Sequence, residues 1–379
     1  MSKPNGRIFG LDAARSLLML LGIVVHTGSF VSSYQPASES PLDNSVLTFA
    51  NLVHNFRMPA FFAVAGLFAA MLIDHRGLRG FWQQRMRRLF WPLVAASVTV
   101  IPITLASFDV SKPQKLMDAG FVHLWFIYYL LIFSGVTVLA YWLFHKTVLG
   151  QRKHELLKKF ARRWFANPII LLLAAAITYL LPAYFSVESG ALEYSSGVFP
   201  NIYLLIFYGI FFSLGLFSYS IWQTIENKLR KFWWIYLVLG LAAFSIYSNL
   251  INSNTGQSWW KFVYTISTWM LAAGFIAFFV RFANKPNRFF AYFSEASYWI
   301  YIVHLPIVLA ALYWLAKWQV PFFWSFVLST LFTFGISTLS YHWLVKDTII
   351  GKFLAGKIGQ NLGKKEKRKK LSGNKKVRR

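Results

Sequence analysis

Long apolar segments, each about as long as a lipid bilayer is thick, recur along nearly the whole chain. A helix needs about 20 mainly apolar residues to cross the hydrocarbon core of a bilayer. Backbone groups in lipid must find their hydrogen bonds within the segment, so these segments are expected to be helices. Ten segments qualify, at residues 10–31, 47–73, 89–107, 121–144, 168–185, 200–220, 232–250, 261–280, 290–316 and 322–345. The sequence therefore predicts an all-α, polytopic membrane protein with about ten transmembrane helices.

The loops between these segments alternate in their content of lysine and arginine. Five, seven, three and three basic residues occur in the loops at 74–88, 145–167, 221–231 and 281–289. None occurs in the loops at 32–46, 186–199 and 251–260, while the loops at 108–120 and 317–321 contain two and one. Basic loops of membrane proteins stay in the cytoplasm. The alternation therefore places both termini on the cytoplasmic side.

The chain divides into a membrane domain, residues 1–345, and a basic tail, residues 346–379. The tail contains 13 lysine or arginine residues and contributes much of the net charge of +26. Such a tail is expected to be disordered and to lie near anionic lipid headgroups rather than to bind nucleic acid. The first apolar segment begins with Asp12 and Arg15 and has no clear cleavage site, so we expect an uncleaved helix. The chain has no cysteine, which excludes a disulfide framework and a thiol nucleophile.

Arg15 and His26 lie eleven residues apart in the first apolar segment. Eleven residues are close to three helical turns, so both side chains project from one face, about 16 Å apart along the axis. Ionisable groups in membrane helices usually face a polar cavity or a pathway. The pair predicts a site that extends through much of the bilayer.

Further ionisable residues are expected at the depth of His26. His54 and Arg57 share a face of the second segment, His123 opens the fourth, and His304 lies in the outer half of the ninth. A single intramembrane histidine more often forms a hydrogen bond between helices. Four at one depth, together with an arginine, favour a functional site. His342 lies near the cytoplasmic end of the tenth segment and is interpreted as interfacial.

Other classes of site have less support. The histidines lack the spacing of known zinc motifs and have no obvious carboxylate partner, so no metal is expected. The nucleophile elbow of hydrolases, the P-loop and the dinucleotide-binding glycine motif are absent from the sequence. A transporter or flippase for a polar solute remains the alternative, since the same residues would serve as binding or proton-relay groups. The lack of an evident internal repeat argues against that alternative.

Four segments carry a resemblance to a known family. They are LDAARSLLMLLGIVVH (11–26), HNFRMPAFFAVAGLFAA (54–70), HLWFIYYLL (123–131) and SYWIYIVHLP (297–306). In this order they resemble the acyltransferase-3 family of integral membrane acyltransferases, in particular its glucan succinyltransferase branch. Ala65 departs from that pattern, which usually has serine before the glycine at Gly66. Gly66 is still expected to permit close packing of helices.

The resemblance implies transfer of an acyl group, succinyl in this branch, from cytoplasmic acyl-CoA to a hydroxyl of a periplasmic glucan or other envelope glycan. It also implies a bacterial inner membrane location. His26 is the candidate general base, and Arg57 or protonated His54 would stabilise the negative charge that forms on the carbonyl oxygen. An acyl-histidine intermediate is the variant mechanism. His123 and His304 are predicted to bind the acceptor or to support the site.

The same reading assigns the donor to the cytoplasmic end. Arg15, oriented by Asp12, is the candidate ligand for the phosphates of CoA, because arginine binds phosphate through a rigid fork of donors. Further arginines of the first cytoplasmic loop would assist, namely Arg76, Arg79, Arg85, Arg87 and Arg88. The reaction then requires a water-accessible tunnel between the first, second, fourth and ninth segments.

Overall fold

A computed structural model describes residues 8–38, 40–107, 120–144, 167–179, 199–252 and 259–356. Within these ranges the chain is helical and contains no strand. Most of the basic loop at 145–167, the basic residues of the loop at 108–120 and the tail beyond residue 356 lie outside the described residues. The all-α, polytopic fold class is confirmed.

The α-helices are numbered here in chain order. They are α1 (Phe9–Tyr34), α2 (Pro41–Arg85), α3 (Trp91–Ser107), α4 (Trp125–Phe144), α5 (Pro168–Tyr179), α6 (Ile202–Ser218), α7 (Trp222–Asn252), α8 (Trp259–Phe282), α9 (Arg288–Lys317), α10 (Phe322–Ser340) and α11 (Ile349–Leu354). Short π-helical segments follow α2 and α10 at Met86–Phe90 and Tyr341–Val345. Short 3₁₀ segments precede α4 and α7 at Val122–Leu124 and Tyr219–Ile221.

Seven helical stretches in the described part of the chain are long and apolar enough to cross a membrane. Two of them, Pro41–Ser107 and Ile202–Ile251, are 67 and 50 residues long. Since about 20 residues suffice for one crossing, each of these two stretches accommodates two of the predicted segments. All ten predicted segments overlap a described helix. The number of crossings and the side of the termini stay predictions.

Helix boundaries follow from capping residues that the hydropathy pattern does not reveal. Ser40 caps α2 by accepting from the backbone N–H of Asp43, and Pro41 occupies the first turn. Helix α2 continues to Arg85, well beyond the predicted end at residue 73, and Gly77 interrupts its helical geometry with a φ of 68°. The basic loop that the sequence predicted is therefore largely helical.

The first part of the basic tail is folded, which differs from the expectation of disorder. Thr348 caps the short helix α11, and its side chain accepts from the backbone N–H of Gly351. Gly356 then packs against Arg87 and Arg88 of the π-helical segment. A side-chain cap and this contact stabilise a segment whose charge alone suggested a solvated chain.

Helix α1 lies inside the bundle and packs against α2, α8, α9 and α10. Helix α2 also approaches α6 closely at two glycines. A Cβ atom on Gly66 would lie 1.9 Å from the carbonyl oxygen of Phe212, and one on Gly215 would lie 1.8 Å from that of Ala63. Small residues let helix backbones come into direct contact in membranes. The expected packing role of Gly66 is confirmed, and this contact fixes the helix that carries His54 and Arg57.

Candidate active site

Three imidazoles from different elements meet inside the bundle. His26 of α1 lies 5.1 Å from His304 of α9 and 6.4 Å from His123 of the 3₁₀ segment before α4, measured between ring centroids. The rings of His123 and His304 are 5.2 Å apart. His123 and His304 are 3% and 1% exposed, while His26 is partly exposed. The structure thus brings together three of the four histidines that the sequence placed at one depth.

Backbone carbonyls fix the orientation of two of these rings. Nδ1 of His304 lies 2.6 Å from the carbonyl oxygen of Tyr301, and Nε2 of His123 lies 3.0 Å from that of Ile302. A carbonyl oxygen only accepts, so each of these ring nitrogens carries the proton and donates. The other ring nitrogens, Nε2 of His304 and Nδ1 of His123, are buried and have no hydrogen-bond partner in the described structure. In the neutral rings, both nitrogens carry a free lone pair.

Pro306 explains why a carbonyl oxygen is available to His123. In a helix, the backbone N–H of residue 306 would donate to the carbonyl of residue 302, but proline has no N–H. The oxygen of Ile302 is therefore left for the side chain of His123, which donates to it. The hydroxyl of Tyr301 in turn donates to the carbonyl oxygen of His123. The backbone hydrogen bond that Pro306 cannot form thus leaves an acceptor through which the continuous helix α9 bonds to the segment before α4.

Arg57 brings a positive charge to the same place. Its side chain is 7% exposed, and its Nη1 lies 2.8 Å from the position that a Cβ on Gly22 would occupy. Nε2 of His304 lies 3.7 Å from that position. Arg57 forms no ion pair in the described part of the chain, and its Nε has no hydrogen-bond partner there. A buried cation without a partner is costly, so the site is suited to an anionic or polarised group.

His54 lies at the edge of this group. It is partly exposed on α2, one turn before Arg57. It is within electrostatic range of both Arg57 and His26. We call the five side chains His26, His54, Arg57, His123 and His304 the histidine cluster.

A second cationic group lies at the other end of α1. Nη2 of Arg15 donates to Oγ of Ser294 at 2.7 Å and lies 3.4 Å from Oδ1 of Asp12, which confirms the expected pairing of Arg15 with Asp12. The Arg15 guanidinium also lies over the ring of Phe68, 5.2 Å from its centroid. Arg15 therefore faces α2 and α9, the helices that also carry part of the histidine cluster.

The arginines that were predicted to assist Arg15 differ in whether they lie near it. Arg85 lies over the ring of Phe81 and within electrostatic range of Arg15 and Arg88. Arg76 is within range of Arg88. Arg79 is exposed, and Arg87 packs against Gly356. We call Arg15, Arg85 and Arg88 the arginine cluster. His342 is exposed in the π-helical segment after α10, as expected of an interfacial residue.

Some residues that shape the site were not predicted. Gly22 makes room for Arg57, and Pro306 frees a carbonyl for His123. Pro306 is part of the SYWIYIVHLP motif and follows Ile302 by four residues. This spacing could have indicated that the carbonyl of Ile302 is left without its helical hydrogen bond. Gly22 lies four residues before His26, on the same helix face, but nothing in the sequence identifies its neighbour across the bundle. Among the described residues, no group of three or more His, Cys, Asp or Glu side chains could hold a metal ion.

Comparison with known proteins places the chain in a family. The profile of the acyltransferase domain family matches residues 8–342. The chain is 26% identical to glucans biosynthesis protein C of Escherichia coli strain SMS-3-5 and equally to that of strain K12, over 93% of this chain and 96% of each relative. No solved structure matches the chain. Since the profile spans both clusters, the chain belongs to the acyltransferase domain family that its motifs resemble, and it is a polytopic membrane acyltransferase.

Proposed function

We propose that the protein transfers an acyl group from acyl-CoA, bound at the arginine cluster, to a hydroxyl of a glycan at the histidine cluster. The observation that carries this proposal is the buried Arg57, which lacks an ion-pair partner in the described structure and lies within electrostatic range of His26, His54 and His304. Such a site suits a reaction in which an oxygen atom becomes negatively charged. Helix α1 connects this site to Arg15 over about 16 Å, so an extended donor would reach from one cluster to the other.

The arginine cluster has the chemistry to hold the donor. Guanidinium groups bind phosphate oxygens through parallel hydrogen bonds. Arg85 lies within electrostatic range of both Arg15 and Arg88 and has no ion-pair partner in the described residues, whereas Arg88 also has Glu295 within range. The repulsion around Arg85 favours an anion beside it. The pantetheine arm would then follow the proposed tunnel along α1 toward His26. Asp12 and Ser294 hold the Arg15 side chain in place.

At the histidine cluster, His26 would act as general base. The acceptor oxygen forms a bond to the thioester carbonyl carbon while its proton moves to the imidazole of His26. The negative charge that forms on the carbonyl oxygen is stabilised by Arg57. When the carbon–sulfur bond breaks, the departing CoA sulfur takes the proton back from His26. In the variant mechanism, His26 itself is acylated first and then transfers the acyl group.

The relatives support a proposal for the acceptor and the compartment. Their name assigns them to glucan biosynthesis, and we propose a periplasmic glucan, or another envelope glycan, as the acceptor of this chain. Succinyl is the proposed acyl group, in keeping with the branch that the motifs resemble. A bacterial inner membrane location is proposed, because acyl-CoA is made in the cytoplasm and the acceptor lies outside it.

The test is CoA release by the purified protein in lipid nanodiscs, with succinyl-CoA or acetyl-CoA and with or without periplasmic glucan. We expect release that depends on the glucan, with label from the acyl group recovered on the glucan. Replacing Arg15 by alanine should raise KM for acyl-CoA about tenfold or more while kcat changes little, because one phosphate contact is lost. Uptake of a solute without CoA release would favour a transporter instead.

Gly22→Ala is expected to lower kcat about tenfold without loss of stability. The new methyl group would push the Arg57 guanidinium away, since the two atoms would lie 2.8 Å apart, and small displacements of a charged group are costly in catalysis. Alanine also favours a helix over glycine by up to about 1 kcal/mol. CoA release and the melting temperature of the variant would be measured. Gly135→Ala is the control, because nothing lies within 4 Å of that Cβ position; equal activity of the two variants would contradict the assignment.

Pro306→Ala should reduce activity about tenfold by moving His123, a displacement of the kind that costs rate without breaking the fold. The alanine N–H would donate to the carbonyl oxygen of Ile302 and displace the ring of His123 from it. The helix itself should be at least as stable, since proline is unfavourable in a helix interior. CoA release and thermal unfolding would be compared with those of Pro102→Ala, an exposed proline inside α3. If both variants keep full activity, the Ile302 carbonyl does not position His123.

A further inference from the structure

A cavity opens at the end of the bundle opposite the arginine cluster. It lies between the end of α1, the start of α2 and the connection from α9 to α10, it is open to the surface, and its volume is about 610 Å³. Its lining residues include Tyr34, Gln35, Asp43, Gln319, Phe323 and Trp324. We call this cavity the outer groove.

The outer groove is lined by both aromatic rings and amide side chains. Tyr34, Phe323 and Trp324 provide ring surfaces, and Trp324 is 55% exposed. Gln35 and Gln319 provide amides, which can both donate and accept hydrogen bonds. Sugar rings offer apolar C–H faces and many hydroxyl groups, so aromatic faces combined with amides suit a neutral glycan. If these residues served only as an aromatic belt at the membrane interface, the rings would be expected but the amides would have no role.

Fixed hydrogen bonds hold the walls of the outer groove. The buried carboxylate of Asp43 accepts from the backbone N–H of Ser38 at 2.9 Å, from the Ser38 hydroxyl and from the backbone N–H of Phe323. Nε2 of Gln35 donates to Oγ of Ser325 at 2.8 Å. These bonds connect the α1–α2 loop to α10. The groove is therefore largely formed before a ligand arrives, which lowers the cost of binding.

Gln319 occupies a backbone position where glycine is expected. Its φ is 55°, in the left-handed region. Its N–H donates to the carbonyl of Ala316 and the next N–H, of Val320, donates to that of Leu315, the pattern of a Schellman motif after α9. Glycine would adopt this conformation without strain. The chain instead has an exposed glutamine here, whose side chain lines the groove.

A row of rings on α1 connects the outer groove to the histidine cluster. His26, Phe30 and Tyr34 follow one another at intervals of four residues, which keeps them on neighbouring positions of one face. The rings of His26 and Phe30 are stacked, with centroids 6.3 Å apart. Tyr34 then lines the groove, about 12 Å from His26 along the helix axis.

We infer that the outer groove binds the neutral glycan acceptor, with its chain on Trp324 and Gln319 and one hydroxyl reaching along the ring row to His26. This inference rests on the proposed acyl transfer and names the place where the acceptor is held. Trp324 and Gln319 are binding residues, distant from the reacting atoms.

Binding and kinetics of three variants test the inference. Calorimetric titration with maltohexaose and with a β-linked glucose hexasaccharide is expected to show a Kd about tenfold higher for Trp324→Ala, because a truncated aromatic contact typically costs that much. For Gln319→Gly, Kd should rise about threefold to tenfold with the loss of one hydrogen bond, while the melting temperature stays equal or rises. Trp234→Ala is the matched control, since Trp234 is 53% exposed on α7, away from the groove. In turnover, KM for glucan should rise in both groove variants with kcat and KM for acyl-CoA unchanged.

The outcomes separate this inference from the proposed reaction. If the wild type acylates glucan and the groove variants keep its KM, the inference is wrong and the reaction stands. If the wild type binds a hexasaccharide through Trp324 and Gln319 but releases no CoA, the reaction is wrong and the groove stands. A wild type that binds neither hexasaccharide, or a loss of binding equal to that of Trp234→Ala, overturns the inference.

Discussion

His26→Ala is expected to lower kcat for glucan acylation by about 10²–10⁴-fold, the usual contribution of a general base. His26 is the histidine of the cluster that is both partly exposed and in ring contact with His123 and His304. It can therefore meet an incoming hydroxyl while the others support it. The measurement is initial-rate CoA release in nanodiscs with saturating acyl-CoA. KM for acyl-CoA should stay near that of the wild type, because the arginine cluster is intact.

The control is His342→Ala, which removes an exposed imidazole at the other end of the molecule. It should keep full activity. His26→Ala should also melt as the wild type does, since the lost side chain forms no hydrogen bond with the described residues of the neighbouring helices. A kcat within threefold of the wild type would remove His26 as the base, and the lone pair on Nε2 of His304 would become the next candidate.

Arg57→Gln is expected to lower kcat by about 10²–10³-fold, the range found when one stabilising donor to a developing oxyanion is removed. Its stability should not fall. A buried guanidinium without an ion-pair partner in the described structure is a cost to the fold, so a neutral amide in its place should leave the melting temperature unchanged or higher. This combination, lower activity with unchanged or higher stability, is what a catalytic role predicts and a packing role does not.

Arg57→Lys refines the test. Lysine keeps the charge but loses the planar fork of donors, so an activity between those of Arg57→Gln and the wild type is expected. Arg281→Gln, at an exposed position near the end of α8, serves as the control for the loss of one positive charge. If Arg57→Gln unfolds at a markedly lower temperature and regains activity on cooling, Arg57 stabilises the fold and does not act on the reaction.

The helical architecture could be predicted because lipid offers no hydrogen bonds to the backbone of these segments. A 20-residue apolar segment in lipid must satisfy its own backbone hydrogen bonds, and all ten predicted segments overlap a helix. Helix ends were less predictable. The predicted start of the second segment missed the Ser40 cap, and its predicted end missed the helical continuation to Arg85. Capping and tertiary contacts set those ends, and hydropathy does not report either.

A common depth for the histidines is a prediction from the sequence, whereas their meeting could not be predicted. Depth follows from counting residues along each helix, whereas convergence depends on how helices pack in the plane of the membrane. His123 illustrates the difference. Its position depends on a carbonyl oxygen that Pro306 frees on another helix, 179 residues away along the chain. The class of reaction was inferred from the family resemblance. The residues that adjoin the histidine cluster, among them Gly22 and the ring row at Phe30 and Tyr34, were identified only from the structure.

Helix α1 carries both Arg15 and His26, and it has no break between them. In the proposed reaction, the interval between the anchored phosphates and the base is therefore set by helical rise and not by a hinge. A donor whose arm is shortened, or a simple thioester without the nucleotide, would place its carbonyl at the wrong level even if its reactivity were the same. The enzyme would thus select its donor by molecular length, and lengthening the acyl chain would shift the far end of the substrate without shifting the reacting carbon.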